Sequence, residues 1–131
     1  DFIIHLFTKK YLYKLYLKIM KLITAIVKPE QADNIKRKLN EIGIHGLTMS
    51  EVKGYGRQKG HTEFYRGSKY EVTFLPKTKL EIAVPTSKLK KVIDTIVNTA
   101  RTGKIGDGKI FVTTLQQVIR IRTGEKGPKA I

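Results

Sequence analysis

The chain has 131 residues, 40% apolar and 28% charged, which suffices for one domain with its own core. It contains no cysteine, which excludes disulfides and thiolate metal sites. A formal net charge of +15 favours anionic partners, but the basic residues are scattered, without a dense stripe or a nucleic-acid motif, so a solvated basic surface is the first reading.

Residues 1–19 read DFIIHLFTKKYLYKLYLKI and contain no Gly, Ala, Pro or Arg. They show no clean helical periodicity. The apolar run Phe2–Phe7 is too short for a membrane span. A basic start and a small-residue cleavage site, the marks of a signal peptide, are both missing. The segment is expected to be an atypical N-terminal extension, either upstream of a true start at Met20 or accessory to a domain at 20–131. A basic membrane-surface segment is the alternative. Without its four lysines and one aspartate the remainder still carries +12.

Leu22–Val27 is short, apolar and β-branched, and reads as a buried strand. Pro29 is placed to open a helix. Ala32, Ile35, Leu39 and Ile42 then form one apolar face, and Gly43 stops it. Leu47–Lys53 reads as a second strand. The tract Tyr55–Lys69 is polar and has no core pattern, which inside a small domain suggests a functional loop or a disordered one.

Strand character returns at Tyr70–Leu75 and again at Leu80–Val84. A second helix opens near Pro85, with Leu89, Val92, Ile93, Ile96, Val97 and Ala100 as its apolar face. A glycine-rich loop, a strand Ile110–Leu115 and a last strand Val118–Arg122 complete the order. The class is α+β, in the split ferredoxin-like arrangement β-α-β-β-α-β with an extra strand. Such an antiparallel sheet carries both helices on one face, and self-association is the economical way to cover the other.

The loop Thr102–Phe111 is the most informative stretch. Gly103, Gly106 and Gly108 permit unusual backbone angles, and Lys104 and Lys109 bring positive charge to the same turn. Such a loop can cradle a phosphate. The spacing Gly103-x4-Gly108-Lys109 approaches a P-loop. However, Ile110 stands where that motif needs Ser or Thr for magnesium, and a strand follows instead of a helix. A plain glycine turn between helix and strand is the competing reading. Gly54, Gly56 and Gly60 do not make a dinucleotide fingerprint, because the third glycine comes one residue late and no helix follows.

Three stretches carry a family resemblance: Glu51–Glu63, Tyr65–Tyr70 with Phe74–Lys77, and Thr102–Val112 with Val118–Glu125. With all three in order, the chain from Met20 to Ile131 closely resembles the PII nitrogen-regulatory signalling proteins. The resemblance implies a homotrimer with sheets facing inward, three clefts between subunits for ATP or ADP, and sensing of 2-oxoglutarate. The polar tract would be the T-loop, a partner-docking arm. Targets would be nitrogen-assimilation proteins such as an ammonium channel, N-acetylglutamate kinase, modifying enzymes or transcription regulators. Direct nucleic-acid contact is not expected. The implied location is the cytoplasm, with a plastid stroma as the alternative.

By the same resemblance, ATP would be held by Thr48, Gly56, Arg57, Gln58, Ala83, Gly106, Asp107, Gly108, Lys109, Arg120 and Arg122. The two arginines are expected to alternate along a strand and project to one face. 2-Oxoglutarate would meet Gln58, Lys59, Gly60, Lys77 and Gly106. The side-chain oxygen of Gln58 would share a magnesium ion with ATP and the keto acid. Metabolite binding would then depend on Mg-ATP, a coupling between sites. Tyr70 matches a uridylylated position and Ser68 a phosphorylated one, although Lys69 departs from the family's usual Glu or Ala. His5, His45 and His61 form no metal-ligand pattern, and no catalytic triad or carboxylate pair is suggested. The chain is therefore read as a regulator and not an enzyme, with a slow ATPase and a basic nucleic-acid-binding domain as alternatives.

Overall fold

A computed structural model describes residues 1–55, 61–65, 68–72 and 74–131; within 61–65 and 68–72 only the backbone is described. Its centre is a four-stranded antiparallel sheet. Strand β1 (Met20–Val27) pairs on one side with β5 (Leu75–Pro85) and on the other with β6 (Gly108–Leu115). Strand β2 (Thr48–Gly54) completes the sheet in the order β2-β5-β1-β6. A separate two-stranded hairpin joins β3 (His61–Tyr65) to β4 (Ser68–Val72).

The period-two alternation of strands decides which side chains reach the core. Ile23, Ala25 and Val27 of β1 share a face with Leu80, Ile82 and Val84 of β5, and all six are buried. Helix α2 (Ala32–Glu41) supplies Ile35 and Leu39 to the same core. Helix α3 (Thr86–Ala100) supplies Val92, Ile96 and Ala100. Both helices therefore cover one face, as the apolar spacing predicts. Each fully buried Ile or Leu contributes about 1.5–3 kcal/mol. A 3-10 turn at Pro29–Gln31 leads into α2, and Gly43, at φ +87°, lets the chain leave it.

The opposite face bears Leu22, Thr24 and Ile26 of β1, Lys77, Lys79, Glu81 and Ala83 of β5, and Lys109, Phe111 and Thr113 of β6. None of these is buried, and Phe111 is 53% exposed. The α+β class and the ferredoxin-like topology follow from the sheet order together with the one-sided helices.

Residues 1–19, which show no clean helical periodicity, contain helix α1 (Phe2–Lys18), capped by Asp1. Two sequence expectations need correction. Strand β5 begins at Leu75, not Leu80, and β4 ends at Val72. Pro76 and Lys77 are tolerated because β1 reaches only as far as Thr78 along β5. Beyond that point β5 has β2 alone as its neighbour, and a proline can sit there.

Val118–Arg122, finally, is not a strand of the sheet. Backbone bonds from Gly127 N to Val118 O, Arg120 N to Glu125 O and Gly124 N to Arg120 O fold this stretch into a local turn. Gly124 and Gly127 take positive φ there, and only an Ile119–Lys126 bridge remains. The alternating β-branched residues signal a strand, but within one chain they find no ladder to join.

Candidate functional site

The glycine loop connects α3 to β6. Helix α3 ends when Arg101 turns to an extended conformation, with its N–H still bonded to Val97 O. The chain then reverses through Gly103, Gly106 and Gly108, at φ +83°, +102° and +107°. Asp107 organises this turn. Its carboxylate accepts from Thr102 Oγ1 (2.5 Å), Thr102 N (2.8 Å) and Gly103 N (2.9 Å), and it pairs with Lys28 Nζ at 3.3 Å. The Lys104 N–H in turn reaches Thr102 Oγ1 at 3.2 Å. The stretch 102–104 is thus closed on itself, while Gly108 and Lys109 beyond it are exposed.

The Thr102 hydroxyl, then the Thr102 and Gly103 N–H groups and Lys28, hold the Asp107 carboxyl well below the usual carboxylate range, because all of them favour the charged form. A carboxylate whose folded pKa is depressed stabilises the fold above its unfolded pKa, near 3.9 for Asp, and loses that contribution as pH falls below it. The difference in melting temperature between the parent and Asp107→Asn is therefore expected to be constant above about pH 5 and to narrow steadily as pH falls below about 4 toward the depressed folded pKa. A gap that stays constant down to pH 2 would show that the Asp107 charge is not what fastens the loop.

Lys77 joins the loop from across the sheet, its Nζ donating to Gly106 O at 2.7 Å. Lys109 lies opposite Ile26, which lies opposite Lys79, so the three share one cross-strand row on the open face. Lys79 is paired with Glu81 at 3.8 Å, whereas Lys109 has no ion pair among the described residues. The loop, Lys77 and Lys109 therefore form one basic corner at the β6 end of the open face.

Other expected site residues lie elsewhere in the chain. Thr48 opens β2, opposite Glu81, and Ala83 stands opposite Leu22, both on the open face. Since β2 and β6 are the two outer strands, Thr48 and Lys109 are three strand spacings apart, roughly 14 Å. Arg120 is half-buried and donates from NH2 to Ile131 O at 3.3 Å, while Arg122 is exposed in the turn. The two do not project from a common strand, because no strand is formed there. Gly56, Arg57, Gln58, Lys59 and Gly60 lie outside the described residues. Ser68 and Tyr70 are on β4, in register with Tyr65 and Glu63.

Sequence reasoning missed the clamp that Thr102 and Lys28 make on Asp107. The signal was faint: a Thr and an Asp flanking four residues, and a lysine before Pro29, mean little until the fold brings them together. No cluster of three His, Asp or Glu among the described residues could hold a metal ion.

Comparison with known proteins places this architecture. The family model for nitrogen regulatory protein P-II matches residues 20–125. Nitrogen regulatory protein P-II 1 of Escherichia coli K12 is 59% identical over 112 residues, covering 86% of this chain and all of the relative. Nitrogen regulatory protein P-II of Azospirillum brasilense is 56% identical over the same length and coverage. Among solved structures, Arabidopsis thaliana PII bound to citrate superposes with a TM-score of 0.69 at 40% identity, over 85% of this chain and 88% of that one.

Proposed function

The chain belongs to the nitrogen regulatory protein P-II family, and from that premise we propose that it senses ATP or ADP and, with Mg-ATP, 2-oxoglutarate. It reports their levels to nitrogen-metabolism targets and is a regulator, not an enzyme. Residues 20–131 are its regulatory domain and residues 1–19 an addition to it. The observation that carries this reading is the basic corner: a glycine loop tied down by Asp107, with Lys77 bonded to Gly106 O and Lys109 exposed beside it. ATP phosphates need N–H donors and cations together, and this corner provides both.

A complete site calls for more than one copy of the chain. Thr48 and Ala83, proposed for the adenine end, lie toward the β2 side, and Lys109 lies on the β6 strand. A ring of identical subunits, each setting its β2 side against the β6 side of the next, would bring the two halves together. The open face and the exposed Ile119 and Ile121 favour such an assembly, because each isolated copy leaves apolar surface in water. We assign it as a homotrimer. Arg120 and Arg122 complete the phosphate contacts, Arg120 after releasing Ile131 O. Gln58 carries the magnesium ion, and Lys59, Gly60, Lys77 and Gly106 meet the keto acid. The hairpin β3–β4 is the docking arm, with Tyr70 and Ser68 as its modification sites. The cytoplasm is the matching compartment, and an ammonium channel, N-acetylglutamate kinase, modifying enzymes and transcription regulators are the target classes.

Isothermal titration tests the mechanism. 2-Oxoglutarate is expected to bind only when ATP and magnesium are both present, because the ion is shared. Equal binding without ATP would sink the shared-ion mechanism and leave two independent sites.

A further inference from the structure

Helix α1 lies before residue 20, where the family match begins, and contributes nothing to the buried core. Its exit is fixed: Ile19 O accepts from Thr86 N (3.0 Å) and Thr86 Oγ1 (2.9 Å) at the start of α3, which α1 also touches. Its apolar and basic residues are sorted along its length. Residues 2–8 contain no lysine, whereas Lys9, Lys10, Lys14 and Lys18 all fall from residue 9 onward. Phe2, Ile3 and Phe7 are the most exposed large apolar residues of the helix, at 76%, 75% and 74%.

Helical spacing turns this order into a surface. Ile3, Phe7, Lys10, Lys14 and Lys18 follow at steps of four, three, four and four, so they form one stripe. Asp1, His5 and Thr8 follow at four and three, about 200° around the helix from the apolar tip. The stripe is therefore apolar at its N-terminal end and cationic along the rest. Tyr11, Tyr13 and Tyr16 stand among the lysines, and tyrosine suits the level of lipid headgroups. At about 26 Å the helix is shorter than a hydrocarbon core of about 30 Å, and no helix among the described residues is long and apolar enough to cross a membrane.

We propose that α1 docks this protein on an anionic phospholipid membrane. Phe2, Ile3 and Phe7 dip below the headgroups, and Lys10, Lys14 and Lys18 meet the lipid phosphates. Charge complementarity selects this occupant: the helix has no acidic residue, so its lysines have no partners along its own length. The opposite side of the tip, with Asp1, His5 and Thr8, stays toward water.

Co-sedimentation of the full chain with vesicles tests this. The protein is expected to bind equimolar phosphatidylglycerol–phosphatidylcholine vesicles and to leave pure phosphatidylcholine vesicles largely free. Ile3→Glu with Phe7→Glu should lower partitioning about tenfold or more, and Lys10→Gln with Lys14→Gln and Lys18→Gln by about a hundredfold. All these side chains are exposed, so circular dichroism should show every variant folded. Thr8→Glu, on the far side, should bind within about threefold of the parent, although it adds charge of the same sign. Three results would overturn the proposal. One is no binding to the anionic vesicles. Another is equal binding by the Ile3/Phe7 variant, which would mean adsorption of the basic body. The last is vesicle-free self-association that the same variant abolishes, which would make a second copy the occupant.

Discussion

Replacing Gly108 with alanine is expected to destabilise the protein by about 3 kcal/mol or more and to lower its melting temperature by more than about 10 °C. Gly108 opens β6 at φ +107°, a conformation alanine resists. A Cβ there would lie 1.8 Å from Ile26 O and 2.9 Å from the Ile26 carbonyl carbon. Both atoms belong to the backbone of β1, which is held between β5 and β6, so no flexible side chain can yield. Gly103 provides the comparison within the same loop. It too has positive φ, but nothing lies within 4 Å of its Cβ position. Gly103→Ala should therefore cost only the backbone term, about 1–2 kcal/mol. Equal melting temperatures for the two variants would refute the steric argument. Since Gly108 also sets the direction of Lys109, nucleotide affinity should fall in the Gly108 variant even under conditions where it remains folded.

Lys109→Ala should do the reverse, sparing the fold while weakening ATP binding about ten- to a hundredfold, as loss of a charge-assisted contact does. Lys109 is exposed on an outer strand, so its removal should move stability by no more than about 0.5 kcal/mol. Lys79→Ala is the matched control. Lys79 lies in the same cross-strand row, on the same face, two strands away, and is already paired with Glu81. If proximity to the glycine loop matters, the Lys79 variant should bind ATP within about threefold of the parent. If general positive charge on the open face matters, the two variants will weaken binding alike, and the assignment of Lys109 fails.

Much of this fold is legible from apolar spacing. Ile35 and Leu39, or Val92 and Ile96, mark helical faces at once, and Ile23-Thr-Ala-Ile-Val27 marks a buried strand. Failures occur where local pattern and global placement disagree. In α1 the apolar side of the first half and the lysine side of the second half coincide, so no single face emerges over the whole segment. The start of β5 is hidden because Pro76 and Lys77 lie on an overhang past β1, where the usual rules for a central strand do not apply. Val118–Arg122 has the composition of a strand but lacks a neighbour to pair with. At the glycine loop, the sequence read as a phosphate cradle or a plain turn, and the reversal through Gly103, Gly106 and Gly108 was visible either way. The clamp made by Thr102, Lys28 and Asp107 was not, since it depends on chain reversal bringing the end of β1 to the loop.

The placement of β2 and β6 at opposite ends of the sheet order has a consequence for stoichiometry. If each copy offers half a site at either side, a lone chain has two incomplete halves and no whole one. A linear string of copies has one site fewer than its members, and only a closed ring has as many sites as subunits. Ligand occupancy then counts closure. Two defective copies, one altered on the β2 side and one on the β6 side, can restore a whole site in a mixed ring where neither could alone.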